Sequence, residues 1–172
     1  VDTDLADYFF YRSNVETVEL TSNVHVIGVG AFAFCPFLKL SIPDGIKFTN
    51  IDEGAFYKST LTLTKSTSLK TAGLGQHAFY YCSLRKLAIQ LGCSVPTSAF
   101  EHFGISSIYE GELTVTFDRG TSGSLTFSIG TNAFAYSTIK NFEISNYIYS
   151  VGANAFQFSS LNIFSFKSTA ST

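Results

Sequence analysis

The stretch VHVIGVGAFAF, Val24 to Phe34, contains a pattern that returns five more times along the chain. In each copy an aliphatic residue stands five positions before the phenylalanine of an Ala-Phe pair, and the later copies read IDEGAF, LGQHAF, VPTSAF, IGTNAF and VGANAF. The phenylalanines are Phe32, Phe56, Phe79, Phe100, Phe134 and Phe156, and the aliphatic residues are Ile27, Ile51, Leu74, Val95, Ile129 and Val151. A degenerate earlier copy contains Leu5 and Phe10 at the same offsets, which brings the prediction to seven repeats. A period of about 20–25 residues is typical of solenoids built from stacked coils.

The same stretch also matches a nucleotide-binding motif, because Gly28-Val29-Gly30 begins a G-x-G-x-x-A sequence after an apolar run. This match does not indicate a nucleotide site, because it falls within the repeat and the residue equivalent to Gly30 differs from copy to copy. A new strand-like pattern also begins within about ten residues, too soon for the helical crossover of a dinucleotide fold. We therefore expect no nucleotide and no other cofactor.

Composition excludes two further classes of function. Charged residues make up 14% of the 172, the net charge is -2, and no basic run is present, which argues against a nucleic-acid partner. No apolar segment approaches the roughly 18 residues that a membrane span needs. The chain contains no Met, and we expect it to be part of a longer or processed protein.

The repeat predicts a β-rich solenoid of the leucine-rich-repeat type over residues 1–172, with one short parallel strand per coil on one face and the Ala-Phe pairs, in turns or short helical turns, on the other. Positions eight and ten after the phenylalanine alternate with polar residues, as a half-buried strand requires. The phenylalanines should stack as an internal spine, because no single coil can bury such a ring alone. The one irregularity is the 34-residue spacing between Phe100 and Phe134. It predicts an insertion or a degenerate coil near 109–128, with an inserted hairpin formed by GELTVTF and GSLTFSI as the favoured form.

Candidate reactive residues are few. Cys35 and Cys82 occupy equivalent positions two coils apart, which is too far for a disulfide, and we expect both to be buried. A Cys82–Cys93 bridge remains open. The histidines do not have metal-ligand spacing, and a Cys93–His102 nucleophilic pair would lack a third, orienting group. Glu110 and Glu112 could bind a cation, but charged residues at such a position more commonly protect the edge of a sheet from pairing with another strand. We predict neither a catalytic nor a metal site.

The remaining candidate is a surface formed by the positions seven and nine after each phenylalanine, which should make two exposed columns on the sheet. These columns mix charge signs and small polar groups, a composition that suits contact with a protein or a glycan. The candidate binding residues are Lys39, Ser41, Lys86, Ala88, Tyr109, Asn141, Glu143 and Ser165.

The repeats resemble the BspA-like subclass of leucine-rich repeats. AFAFCPFLKLSIPDGIKFTNIDEGAF, from Ala31 to Phe56, follows that family's pattern, and AFYYCSLRKLAI follows it again from Ala78. The resemblance implies a cell-surface or secreted protein that takes part in adhesion, co-aggregation or antigen display. It implies no catalytic residues.

Two functions are therefore open, an extracellular recognition module and an intracellular structural scaffold that assembles with filaments or other subunits. The chain has eight Asn but no N-x-S/T sequon, which favours the scaffold without deciding the question. Neither end carries a polar capping repeat, so we expect further chain or neighbouring subunits to cover the ends.

Overall fold

A computed structural model describes residues 2–66, 68–104, 112–117, 126–145 and 148–167. These residues form a parallel β-solenoid of about six turns, and every pair of strands in it is parallel. The predicted fold class is thus confirmed. No helix occurs in the described ranges.

The strands of the described residues form three walls rather than the single row of strands predicted from the sequence. The first wall is a four-stranded sheet of β1 (Thr17–Glu19), β3 (Leu38–Ser41), β6 (Thr60–Leu63) and β8 (Ser83–Leu84). The second wall contains six strands, in the order β4 (Lys47–Phe48), β7 (Ser68–Thr71), β9 (Lys86–Leu91), β10 (Glu112–Phe117), β12 (Thr138–Ser145) and β14 (Ser160–Lys167). The third wall is narrow and consists of two pairs, β2 (Val26–Ile27) with β5 (Asn50–Ile51) and β11 (Phe127–Ile129) with β13 (Ile148–Val151).

The third wall explains the aliphatic residue that precedes each Ala-Phe pair. Ile27 pairs with Ile51, Ile51 with Leu74, and Ile129 with Val151. These residues are register partners from coil to coil at the position where the chain enters the turn, and Ile27, Ile51 and Ile129 are buried. The aliphatic requirement therefore comes from burial at this position.

The phenylalanine spine lies inside the coil, as the repeat predicts. Seven rings from Phe10 to Phe156 stack in succession, with centroid separations of 5.1 to 5.4 Å and interplanar angles of 3° to 15°. The five central rings are at most 1% exposed. Offset stacking of aromatic rings adds about 0.5–1.5 kcal/mol per pair to the free energy of burial.

Backbone amides hold the Ala-Phe turns together by alternating between two kinds of partner. The amides of Phe32 and Phe34 donate to carbonyls of the next coil, at 2.8 Å each. The intervening amide of Ala33 donates back to Gly30 within its own turn, at 3.0 Å. The first six coils repeat this arrangement, and in all seven the φ is positive both two residues before and two residues after the spine phenylalanine. The positive-φ residues Gly30 and Phe34 are the third residues of two flanking turns, Gly28 to Ala31 and Phe32 to Cys35, which close with i to i+3 hydrogen bonds. Positive φ at the third residue is the conformation of a type II turn.

Two small positions around the turn have distinct causes. The alanine before each spine phenylalanine from Phe32 to Phe156 is at most 3% exposed, so only a small side chain fits there. Glycines four residues before the phenylalanine allow the backbones of successive coils to approach closely. A Cβ added at Gly130 would lie 2.6 Å from the amide nitrogen of Thr97, and one at Gly152 would lie 2.6 Å from that of Thr131.

The position three residues after the phenylalanine is Ser or Cys in most coils, because a small buried donor fits there. The Ser137 hydroxyl donates to the Phe134 carbonyl at 2.5 Å, and the Ser159 hydroxyl donates to Phe156 at 2.7 Å. The Cys35 thiol faces the Phe10 carbonyl at 3.2 Å. Cys35 and Cys82 are thus equivalent, buried and unpaired, as predicted.

The hairpin prediction for the long segment after Phe100 is wrong. GELTVTF supplies β10, which lies between β9 and β12 in the second wall and pairs in parallel with both. The FSI of the second run is β11, which pairs with β13 in the third wall. Both edges of β10 are already occupied by neighbouring coils, so a hairpin partner has no place to pair. Residues 105–111 and 118–125, including Glu110, lie outside the described part.

Candidate functional site

The structure divides the predicted binding residues between two walls. Lys39 and Ser41 belong to the first wall, and Lys86, Ala88 and Asn141 belong to the second. Glu143 and Ser165 are register partners on the neighbouring strands β12 and β14. Tyr109 lies outside the described residues, as does the side chain of Glu143.

The prediction that these positions form two exposed columns is wrong in its register. Ala88 aligns with Thr114, Thr114 with Asn141, and Asn141 with Ile163, although Ala88 and Asn141 have different offsets from their phenylalanines. The pairing register between β10 and β12 shifts between Leu113 and Thr114, so these two strands are not evenly aligned. Strand starts therefore move relative to the spine from coil to coil, and a fixed offset does not select one column.

Exposure also differs from the prediction at three positions. Lys39, Lys86 and Ser165 are exposed as expected, whereas Ala88 and Asn141 are half-buried. Ser41 is only 3% exposed. It is the last residue of β3, at the corner where the chain turns toward β4, and its neighbours Leu40 and Ile42 are buried as well. The inside–outside alternation of a strand does not continue through such a corner.

Glu112, which the sequence raised as a possible cation ligand, is paired with a lysine. Lys140 Nζ lies 3.0 Å from Glu112 Oε2, and this hydrogen bond lowers the pKa of the solvent-accessible Glu112 carboxyl. Exposed pairs of this kind contribute little to stability. Glu112 is thus a surface ion-pair residue of the second wall.

A shallow cleft of about 270 Å³ runs across the outer face of the second wall, and we call it the sheet groove. The Asn141 Oδ1 atom is buried and has no hydrogen-bond partner among the described residues. An unsatisfied acceptor is costly unless water or a ligand donates to it. The groove is lined by Thr114, Val115, Thr116, Asn141, Phe142, Ile163 and Ser165.

A second surface, which the sequence reasoning missed, lies on the outside of the Ala-Phe turns. The residues two positions after each spine phenylalanine project outward and stack along the solenoid, and we call them the outer column. Tyr81 and His102 have ring centroids 4.0 Å apart, and His102 and Tyr136 are 4.5 Å apart at an angle of 2°. The outer column consists of Arg12, Phe34, Lys58, Tyr81, His102, Tyr136 and Phe158.

Cations and rings alternate at the other end of the outer column. The Arg12 guanidinium lies 5.3 Å from the Phe34 centroid, and Lys58 Nζ lies 5.5 Å from the Tyr81 centroid. All seven residues have positive φ. This conformation costs non-glycine residues roughly 1–2 kcal/mol each. Stacking between coils and the hydrogen-bonded turn offset that cost.

A signal for the outer column was present in the sequence. Aligned on the spine, the position two residues after each phenylalanine reads R, F, K, Y, H, Y, F, so that every copy is aromatic or cationic. The positions eight and ten after the phenylalanine have a more regular pattern than this one, and that pattern indicates the strands of the walls rather than the outer column. A position filled only by flat or cationic side chains indicates stacking on the surface rather than burial.

A compact cleft of about 270 Å³ lies at the start of this surface, between the first three turns, and we call it the aromatic groove. Four rings and one carboxylate surround it, and its floor consists of small residues. Tyr8 and Tyr11 are 58% and 41% exposed. The lining residues are Tyr8, Tyr11, Val29, Gly30, Ala33, Phe34, Glu53, Gly54 and Tyr57.

The thiols and histidines do not form a reactive site. All three cysteines are free, and burial raises the pKa of the Cys93 thiol to about 11 and that of Cys82 further. His102 stacks between two tyrosines of the outer column and is no partner for Cys93. Among the residues that the structure describes, no cluster of His, Cys, Asp and Glu could hold a metal ion.

Comparison with known proteins identifies the repeat. Residues 3–118 and 124–172 match the model for the BspA type leucine rich repeat region, in six copies. No curated protein and no solved structure matches the chain. Within the described ranges, no helix is long and apolar enough to cross a membrane.

Proposed function

The chain belongs to the BspA-type leucine-rich repeat family, and on this basis we propose that it is a non-catalytic recognition module, displayed at a cell surface or secreted, that binds a protein or glycan ligand. Adhesion and surface-antigen roles belong to the same proposal. Two kinds of group that could react are unsuited to bond-making, since burial raises the pKa of the Cys82 and Cys93 thiols and Glu112 is paired with Lys140.

The observation that carries the proposal is the exposed stack of the outer column. Tyr81, Tyr136 and Phe158 are 43%, 39% and 72% exposed, yet each ring is fixed in position by the ring of the next coil. Tyrosine and tryptophan dominate binding hot spots because they bury a large area while losing little side-chain entropy. A row of preorganised rings is therefore well suited to bind a partner.

A scaffold inside the cell is the second candidate, and one observation favours it. Tyr149 and Ile163 are 81% and 56% exposed, which leaves apolar surface on β13 and β14. Exposed apolar patches often mark contacts between subunits. In this alternative the contact is with another copy or with a filament subunit.

Labelling of whole cells with an antibody against the solenoid, with and without permeabilisation, separates the two candidates. Display at the surface predicts labelling of intact cells. Labelling only after permeabilisation would contradict it and favour the scaffold.

The binding surface is tested with the biotinylated chain on protein and glycan arrays. Replacing Tyr81, His102 and Tyr136 together by Asn, which tolerates positive φ, should weaken binding at least about tenfold. The matched control replaces the exposed first-wall residues Lys39 and Thr62 by Asn and should bind normally. If the first-wall variant lost binding and the outer-column variant bound normally, the recognition surface would lie on the sheet instead.

A further inference from the structure

We infer that the aromatic groove is a saccharide subsite that accepts one neutral pyranose ring. This inference rests on the proposed recognition function and specifies a ligand class for one part of the surface. The groove lies on the turns of the first three coils, away from the stacked rings of Tyr81, His102 and Tyr136.

The groove exists because three residues of the second and third coils are small where several other coils have aromatic side chains. Two residues before the spine phenylalanine stand Gly30 and Gly54, where other coils have Tyr8 and His77. One residue after it stands Ala33, where the next two coils have Tyr57 and Tyr80. In the fourth coil this space is filled, since Tyr80 stacks on Tyr57 at 5.0 Å and packs against His77 at 5.5 Å.

The rings around the groove are held at an angle to one another and form its sides. Tyr8 and Tyr11 are perpendicular with centroids 5.6 Å apart, and Tyr11 and Phe34 are perpendicular at 5.7 Å. Tyr8 lies directly over Gly30, where an added Cβ would come within 2.8 Å of two ring carbons. A volume of about 270 Å³ is below the usual range for drug-sized ligands, about 300–1,000 Å³. It suits a single ring.

The polar groups at the rim favour a ligand that carries both donors and acceptors. The Glu53 carboxylate forms no ion pair and no side-chain hydrogen bond with any residue in the described ranges, so it can accept from ligand hydroxyls. The phenolic hydroxyls of Tyr8, Tyr11 and Tyr57 can donate or accept. A pyranose has an apolar C–H face that fits a ring and hydroxyls at its edge that fit these groups.

Charge argues against ions of either sign. The Arg12 guanidinium already lies 5.3 Å from the centroids of both Tyr11 and Phe34, so a second cation at those rings would be repelled. Glu53 repels an anion, and Asp52 and Asp7 add negative charge nearby, where burial and then Asp7 raise the Asp52 pKa. A neutral polyhydroxylated ring avoids both repulsions.

Saturation-transfer difference NMR on the full 172-residue chain tests the inference, with methyl glycosides of glucose, galactose, mannose and N-acetylglucosamine as probes. We expect saturation of ring C–H protons in at least one probe. Gly54→Asn should abolish the signal by filling the groove, and Tyr57→Ala should weaken binding about tenfold. Gly54→Asn should fold normally, because Asn132 and Asn154 occupy the equivalent position with φ of 54° and 58°.

The reciprocal change Asn154→Gly, at the equivalent position in the last described turn, is the matched control and should leave the signal intact. A lack of signal for all four glycosides, or a signal that persists in Gly54→Asn, would overturn the inference. So would a response to tetramethylammonium without any response to the sugars. Array binding that depends on Tyr81, His102 and Tyr136 would then still stand, which separates failure of this subsite from failure of the recognition function.

Discussion

Phe100 and Phe134 are separated by 34 residues in the sequence, yet their rings stack with centroids 5.3 Å apart and planes 3° from parallel. Pairs that are 21 to 24 residues apart stack at the same distance. The spine therefore determines the rise from coil to coil, and extra chain length is accommodated in the walls. Phe100 also donates its amide to the Ala133 carbonyl at 2.8 Å, so the turn backbones are in register across the long coil.

Removing one spine ring should be costly. Phe79 is fully buried and stacks on Phe56 at 5.1 Å and on Phe100 at 5.2 Å, so Phe79→Ala should destabilise the chain by about 3–5 kcal/mol. Thr62→Ala, on the exposed face of β6, should cost less than about 0.5 kcal/mol. Urea denaturation of the two variants measures both, and equal midpoints would contradict the spine.

The close approach of successive coils at glycine gives a second prediction. A Cβ on Gly130 would meet the backbone of Pro96 and Thr97 at 2.6–2.7 Å, so Gly130→Ala should destabilise by about 1–3 kcal/mol through forced separation of two coils. A Cβ added at Gly45 would meet no atom within 4 Å, and Gly45→Asn suits the φ of 77° there. That control should cost under about 0.5 kcal/mol. Thermal melts compare them, and a neutral Gly130→Ala would mean that the coils are not in tight contact.

Stability should fall in mild acid because of His102. Burial lowers the pKa of its imidazole in the folded chain, opposed by the nearby Glu101 carboxylate, whereas the unfolded chain titrates near 6.5. The unfolded state thus binds the proton more readily, and the stabilisation present above about pH 6.5 is lost as the pH falls toward the lowered folded value. Denaturation at about pH 7.5 and about pH 5.5 should show this loss, and His102→Asn should reduce it while His25 and His77 remain. If the pH dependence of stability were unchanged in His102→Asn, another group would be responsible for the loss of stability in acid.

The thiols should be unreactive until the chain unfolds. Cys35 and Cys82 are fully buried, and the pKa of the half-buried Cys93 is raised to about 11, so little thiolate exists near neutral pH. Titration with Ellman's reagent should be slow in buffer and should give three thiols in guanidinium. A count of one in denaturant would reveal the Cys82–Cys93 bridge that the sequence left open.

The spine and the recurrent aliphatic position before it could be identified from the sequence because burial constrains residue type strongly, although the third wall that this position belongs to was not predicted. Phe79 and Ile51 tolerate few replacements, so their equivalents recur in every copy and define the frame. Exposed wall positions have no such constraint. Lys86 and Asn141 share an offset from the spine but not a register, because β10 and β12 shift relative to each other and coil lengths differ.

The corner and the outer column were missed for different reasons. Ser41 is polar and follows an alternating pattern, but the chain leaves the sheet there and the surrounding residues bury it. Tyr81, His102 and Tyr136 differ in residue type, and only their shared flat shape marks the stack. The aromatic groove forms where some coils have glycine or alanine at positions that carry rings in other coils. The sequence shows these differences between copies, but they indicate a groove only once the turns are known to stack side by side.

The two clefts lie toward opposite ends of the winding axis, one formed by the first three turns and the other by the strands β10, β12 and β14. They also face different directions, because one is on the turns and the other is on the second wall. The two ends of the solenoid therefore differ in the cleft that they carry and in the direction that it faces. An elongated partner that engages both clefts can align with the axis in only one of its two senses, so attachment there would fix the polarity of the partner as well as its position.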